Sequence, residues 1–234
     1  MTSATDDPAF ARADDRPSRG AGAMLMACAL VSVGLLASHP DGAPSHVLAD
    51  VIRQEAASQL QDAIIHGGFV LVLTLELACL AVLAVRVGAR RTGVLTAMAF
   101  TLAGTGLLAA SMILDGLVTP MIAARYLAVS AAKQENARTM LVLVGACLQV
   151  LMPMGLGVLG AGAALWGAAL VASRGVAVVG GVIALCLGAA IVALAGFSTV
   201  STDQMVLMLA IMAQAAWVFT AGAVLFAWRR PAAG

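Results

Sequence analysis

Charge is what this sequence has least of. Only 11% of its 234 residues are Asp, Glu, Lys or Arg, where a soluble domain carries about 25%. A chain so poor in charge cannot leave its surface in water, so lipid must be its solvent. Lysine is nearly missing: Lys133 is the single Lys among 13 basic residues, the rest being Arg. The net charge is +1, and no basic run exceeds Arg90-Arg91 or Arg229-Arg230. That excludes a nucleic-acid partner, which would need a basic surface. The four cysteines, Cys28, Cys79, Cys147 and Cys186, sit in apolar runs without CxxC spacing and read as small packing residues. HxxxH and HExxH are absent, so neither spacing marks a metal centre, and no cofactor is implied.

What the chain has in plenty is apolar sequence: 62% of it is hydrophobic, with a mean hydropathy of +0.99. Arg in place of Lys, with abundant Ala and Gly, fits a high-GC bacterial genome. Residues 1–20 are polar, broken by Pro8, Pro17 and Gly20, and read as a disordered tail. Six spans come after it, at about 21–38, 63–85, 93–118, 139–172, 176–197 and 204–228. The first competes with a signal peptide, but Ser-His-Pro-Asp after it lacks an A-x-A cleavage pattern. His39 to Pro44 is a turn-rich break, and Ser45 can cap a helix beginning there. Val47, Leu48, Val51, Ile52, Ala56 and Leu60 recur at helical spacing. They predict an amphipathic helix on the membrane, or a stalk running into the second span. Thr119-Pro120 has the form of an N-cap and first helical residue, and opens a second short helix to about Lys133.

The fourth run, Thr139–Ala172, is too long for a perpendicular crossing and too short for two, so one long helix, tilted or kinked at Pro153, is expected. The expected fold is therefore all-α: a polytopic transmembrane bundle of six helices with two short amphipathic helices on the outer face. Six spans put both termini on one side. Nine basic residues fall there: Arg12, Arg16, Arg19, Arg86, Arg90, Arg91, Arg174, Arg229 and Arg230. Four fall opposite: Arg53, Arg125, Lys133 and Arg138. The positive-inside bias places both termini in the cytoplasm of a cell with this protein in its inner (plasma) membrane.

The hairpin from Asp62 to Arg125 carries the polar residues of interest. Glu76 is residue 14 of a 23-residue span. An acid at mid-membrane is costly, so it is expected to face the bundle interior and carry its proton. It then serves either a relay or contact for a solute, or a neutral hydrogen bond between helices. Thr105, Gln149 and Gln214 fall at comparable depth and complete a candidate mid-membrane polar layer. Near the other end of the hairpin, Asp62 and His66 share one helix face, and so do Ser111 and Asp115. With Arg125 they form a candidate polar pocket. A His with two carboxylates is a plausible divalent-metal set. A Ser near His and Asp can be a nucleophile. The plainer reading is a His–Asp pair that fastens the hairpin.

Met152 and Met154 flank Pro153, and Met205, Met208 and Met212 share a face. Thioethers suit Cu(I), but flexible apolar filler is their commoner use. Gly155, Gly157 and Gly160 spell GxGxxG inside a span, far from any strand, so no nucleotide site is read there. With Gly104 and Gly106 they allow helices to approach closely. The layout resembles a family of uncharacterised bacterial six-helix membrane proteins. The likeness lies in the polar outer connector after span one and the long fourth helix ending at Ser173-Arg174-Gly175. It implies architecture and no activity. The expected partners are the lipid bilayer and a small solute or ion, which the protein binds or transports through Glu76 and the outer pocket. The alternatives are a metal- or Ser-dependent membrane enzyme, or a structural or regulatory subunit without a site.

Overall fold

The computed structural model describes residues 16–39, 47–199 and 204–228, which are helical almost throughout and contain no strand. Helix α1 is Arg16–Ala37, α2 Leu48–Val87 and α3 Thr92–Ile113; a π-helical turn, Leu114–Val118, leads into α4, Thr119–Tyr126. Then come α5, Ala131–Val171, α6, Val176–Ser198, and α7, Gln204–Ala227. Counting α3 through α4 as one rod, six of these helices are long and apolar enough to cross a membrane. The chain is a multi-pass helical membrane protein. The tail as far as residue 15, the break at 40–46 with its Ser45 cap, residues 200–203 and the closing Arg229-Arg230-Pro231 lie outside the described residues.

Several boundaries differ from the sequence expectation, each for a physical reason. Helix α1 starts at Arg16 rather than 21. Pro17 falls in its first turn, where no N–H is needed, so it does not break the helix. Helices α2 and α5 contain 40 and 41 residues, about 60 Å each at 1.5 Å per residue. A hydrocarbon core of about 30 Å holds only half of that. The other half projects at the distal end, the end away from the Arg86–Arg91 turn. Of the two amphipathic segments expected on the outer face, the first takes the form of a stalk running into its span, and neither stands as a separate element. The first is the projecting half of α2, and the second is α4, which continues α3 without a break. Their apolar faces meet in part. Ile52, Ala123 and Ala137 are buried together, with Leu48, Ala56, Ile122, Tyr126 and Leu141 around them. Helix α5 passes through Pro153 unbroken.

The spans form a closed ring in which each packs on two neighbours: α1 on α2, α2 on α3, α3 on α5, α5 on α6, α6 on α7, and α7 on α1. Small residues set the closest approaches. A Cβ on Gly160 would meet Ile191 and the Gly188 carbonyl, and one on Gly22 would meet the α7 backbone at Phe226 and Gly222. Of the glycines read from sequence as close-approach points, Gly104, Gly155 and Gly160 fill that role. Gly157 makes an ordinary contact, and Gly106 faces open space. Two turns use left-handed glycine, Gly88 at φ 118° and Gly175 at φ 65°. Toward the end holding the Arg86–Arg91 turn, Trp166 and Trp217 anchor the largest core cluster. The Trp166 indole N–H donates to Thr101 Oγ1 at 3.2 Å, which in turn donates to the Ala97 carbonyl at 2.8 Å.

Candidate functional site at the distal end of the hairpin

The site is built on α2. Ser58, Asp62 and His66 fall at i, i+4 and i+8, so they stack along one face. Ser58 Oγ donates to Asp62 Oδ2 at 2.5 Å. The Asp62 carbonyl faces His66 Nδ1 at 2.9 Å. A carbonyl only accepts, so Nδ1 carries a proton and donates it. That fixes the ring, leaving Nε2 to face Asp115 Oδ2 at 3.2 Å. A hydrogen bond between these two atoms needs one proton, whichever of them carries it.

Asp115 reaches His66 because of the π-helical turn. Pro120 has no N–H and its ring clashes with the carbonyl four residues back, so an α-helix cannot pass it undisturbed. The extra residue per turn at Leu114–Val118 accommodates it. Both the Thr119 N–H and its hydroxyl go to the Leu114 carbonyl, the hydroxyl at 3.0 Å. The turn carries Asp115 and Gly116 against α2. A Cβ on Gly116 would fall on the His66 ring, so only glycine fits there. Thr119-Pro120, which has the sequence form of a new helix start, instead follows directly on a π-helical turn that carries the acid.

A third ring joins the pair. His39, just past the end of α1, stands edge-on to His66, with centroids 5.2 Å apart and planes at 80°. Gln61 Nε2 donates to the Ser38 carbonyl at 3.2 Å and ties this end of α1 to α2. One ligand atom from each of His39, His66 and Asp115 lies within 4.8 Å of the others. His66 is only 3% exposed, whereas the Asp115 side chain is 35% exposed and His39 is open to the surface. The cluster is thus anchored in the protein and accessible from outside. Glu55 belongs to its surroundings, in the projecting half of α2. Burial pushes its carboxyl up, and the nearby Asp62 and Asp115 add to the effect.

The candidate pocket residues divide. Asp62, His66 and Asp115 come together as expected, but Asp62 acts through its carbonyl on the ring and through its carboxylate on Ser58. Ser111 is fully buried and donates to the Leu108 carbonyl at 2.9 Å. Both His66 nitrogens face other partners, so no Ser–His couple forms. Arg125 is exposed ten residues past Asp115 and takes no part. His39 stands in the sequence only as part of a turn. The signal was available, since it closes span one at the level where His66 opens span two. A shallow depression of ≈ 450 Å³ nearby is lined by Ser38, Ala57, Leu60, Gln61, Ile64 and Ile65 rather than by the cluster.

The mid-membrane layer assembles only in part. Glu76 faces the interior as expected, 6% exposed, and no hydrogen bond ties its carboxyl to another described residue. Gln214 is buried with Oε1 lacking a partner among the described residues, and Thr105 is half-buried. Gln149 does not join them. It is exposed, and because Gly104 packs on Gly155 and Leu159, it lies some two turns nearer the distal end, about 10 Å away. Met205, Met208 and Met212 are all exposed along α7. No known protein-family model, curated protein or solved structure matches the chain.

Proposed function

We propose that this multi-pass protein of the inner (plasma) membrane, with both termini cytoplasmic, binds a small ion or solute at the outer end of its α2–α3 hairpin. The observation that carries this reading is the convergence of His66, Asp115 and His39 from three separate elements onto one accessible point. A pair that merely fastened the hairpin would not need a third ring at its mouth, nor a π-helical turn before Pro120 to deliver the acid. The wider acidic setting, Glu55 and Asp62, favours a cation over an anion. Glu76, ten residues further along α2 and about 15 Å from His66, belongs to a second stage of the same path if the bound species moves inward.

The test is binding and flux with purified protein, in detergent and in liposomes, against a panel of small cations and polar solutes. Binding that disappears in His66→Ala and in Asp115→Asn supports the reading. If His66→Ala and Glu76→Gln leave all binding and flux unchanged while the fold holds, the reading is wrong. A structural role is the second reading, favoured by the tight packing of Gly116 on His66. It predicts that Asp115→Asn alters stability alone.

A further inference from the structure

We propose that His39, His66 and Asp115 bind a divalent transition-metal ion of the zinc class, with water or a substrate group completing the coordination. This inference rests on the cation-binding reading above and names the cation. The donor set is two imidazoles and one carboxylate. Magnesium and calcium take mainly oxygen ligands, six or more of them. Imidazole selects zinc, nickel, cobalt or copper(II). No cysteine is among the clustered ligands, so the soft thiolate donors that favour copper(I) are not part of it.

The geometry is close to what such an ion needs. Zinc binds nitrogen and carboxylate oxygen at about 2.0–2.2 Å in a tetrahedron, which sets ligand atoms about 3.3–3.5 Å apart. The His66 Nε2 to Asp115 Oδ2 separation is 3.2 Å. All three ligand atoms lie within 4.8 Å of one another, so His39, the most exposed of the three, must close in by about 1 Å. The supporting shell is already built. A metal-bound His usually donates its second N–H to a carbonyl or carboxylate, which holds the tautomer that points a lone pair at the ion. His66 does this through Nδ1 to the Asp62 carbonyl at 2.9 Å. Ser58 holds Asp62, Gly116 closes over the ring, and the π-turn presents Asp115. On binding, the ion takes the place of any proton held between Nε2 and Oδ2, which leaves to water. Three protein ligands with a position left open is the pattern of metal sites that act on a bound molecule rather than only staple a fold.

The experiment uses the full chain in detergent, any polyhistidine tag removed and metal stripped. Zinc is titrated with millimolar magnesium and calcium present, and cobalt(II) serves as an optical probe of the ligand field. The expected result is one zinc per chain, indifferent to magnesium and calcium, and a tetrahedral cobalt spectrum. His66→Ala and Asp115→Asn should each weaken zinc by ~100-fold or more, and His39→Ala by ~10–100-fold. Tryptophan fluorescence checks the fold, and the near-isosteric Asp115→Asn stands in should His66→Ala misfold. Absence of stoichiometric zinc on the folded wild-type protein overturns the proposal. So does zinc binding that neither His66→Ala nor Asp115→Asn disturbs. If another cation or solute binds in a His66-dependent way while zinc does not, the metal assignment falls and the binding reading survives. If nothing binds, both fall.

Discussion

The contact between Gly116 and His66 makes a sharp prediction because the chain supplies its own control. Gly116→Ala places a methyl group on the His66 ring. Two routes relieve the overlap. The turn can move away from α2, an overpacking strain of about 1–3 kcal/mol. Alternatively, His66 can swing out and lose its bonds to the Asp62 carbonyl and Asp115, at about 1 kcal/mol each with more for a buried group left unpaired. Both routes cost about the same, so the outcome does not depend on which is taken. Against this, alanine is favoured over glycine inside a helix by about 0.5–1 kcal/mol. Gly106→Ala, in α3 ten residues earlier, makes the same helix gain with nothing within 4 Å of the new methyl. The difference between the two variants cancels the propensity and leaves the packing cost, about 1–3 kcal/mol. Unfolding in mixed micelles of mild detergent and rising SDS, followed by the fluorescence of the buried Trp166 and Trp217, measures it. Gly106→Ala should match or exceed the wild type, and Gly116→Ala should fall clearly below it. Equal stability of the two variants would falsify the claim that the turn is seated against His66.

Four further outcomes concern other parts of the molecule. Pro120→Ala restores the missing N–H and relaxes the π-turn; stability should hold or rise while ion binding at Asp115 weakens by ~10-fold, as read by titration. Glu76 is buried without a hydrogen bond to any described residue, so Glu76→Met should raise the unfolding free energy by about 1–3 kcal/mol, and a clear loss of stability would mean the carboxyl has a partner. Thr101→Val removes the acceptor of the Trp166 indole and should cost about 0.5–1.5 kcal/mol with a shift in tryptophan emission. In a cysteine-free background, Ser130→Cys should react with a membrane-impermeant maleimide on intact cells and Ala89→Cys only after permeabilisation. The reverse pattern would place the cluster in the cytoplasm.

Depth is legible in the sequence and azimuth is not. Each span can be located along the membrane normal from where its apolar run starts, because the rise per residue is fixed. That is why His66 and Asp115 can be matched across the hairpin, and the structure joins them. Rotation about each axis comes from packing on neighbours, which the sequence does not order. Apolar periodicity cannot supply it either, since lipid and protein interior are equally apolar. Gln149 shows the consequence: its apolar run is too long to fix a depth from its start, the helix itself begins at Ala131, and the side chain is exposed. Depth brings His39 to the level of His66, but azimuth again decides whether they meet. His39 lies 27 residues before His66 in a turn-rich stretch, and only the return of α2 beside α1 brings the two rings together.

Pro120 shows how the meaning of a residue depends on its solvent. In water, a Thr-Pro pair after an apolar run marks the start of a new helix, because loops are hydrated at little cost. Next to a membrane the alternative to helix is unsatisfied backbone, so the chain keeps its helix and absorbs the proline locally. The Thr119 hydroxyl adds a second hydrogen bond to the Leu114 carbonyl, beside the one from the Thr119 N–H. The absorbed proline shifts the register of the preceding turn. That shift places a glycine where His66 needs room and an acid where its free nitrogen points. Had Pro120 been absent, Asp115 and Gly116 would sit on an undisturbed α-helix whose facing residues are set by the 3.6-residue period alone. The proline, the glycine and the histidine therefore act as one device. Combining Pro120→Ala with Gly116→Ala should give less than the sum of their separate effects on ion affinity. Additive losses, measured in a double-mutant cycle, would show that bulge and seat are independent.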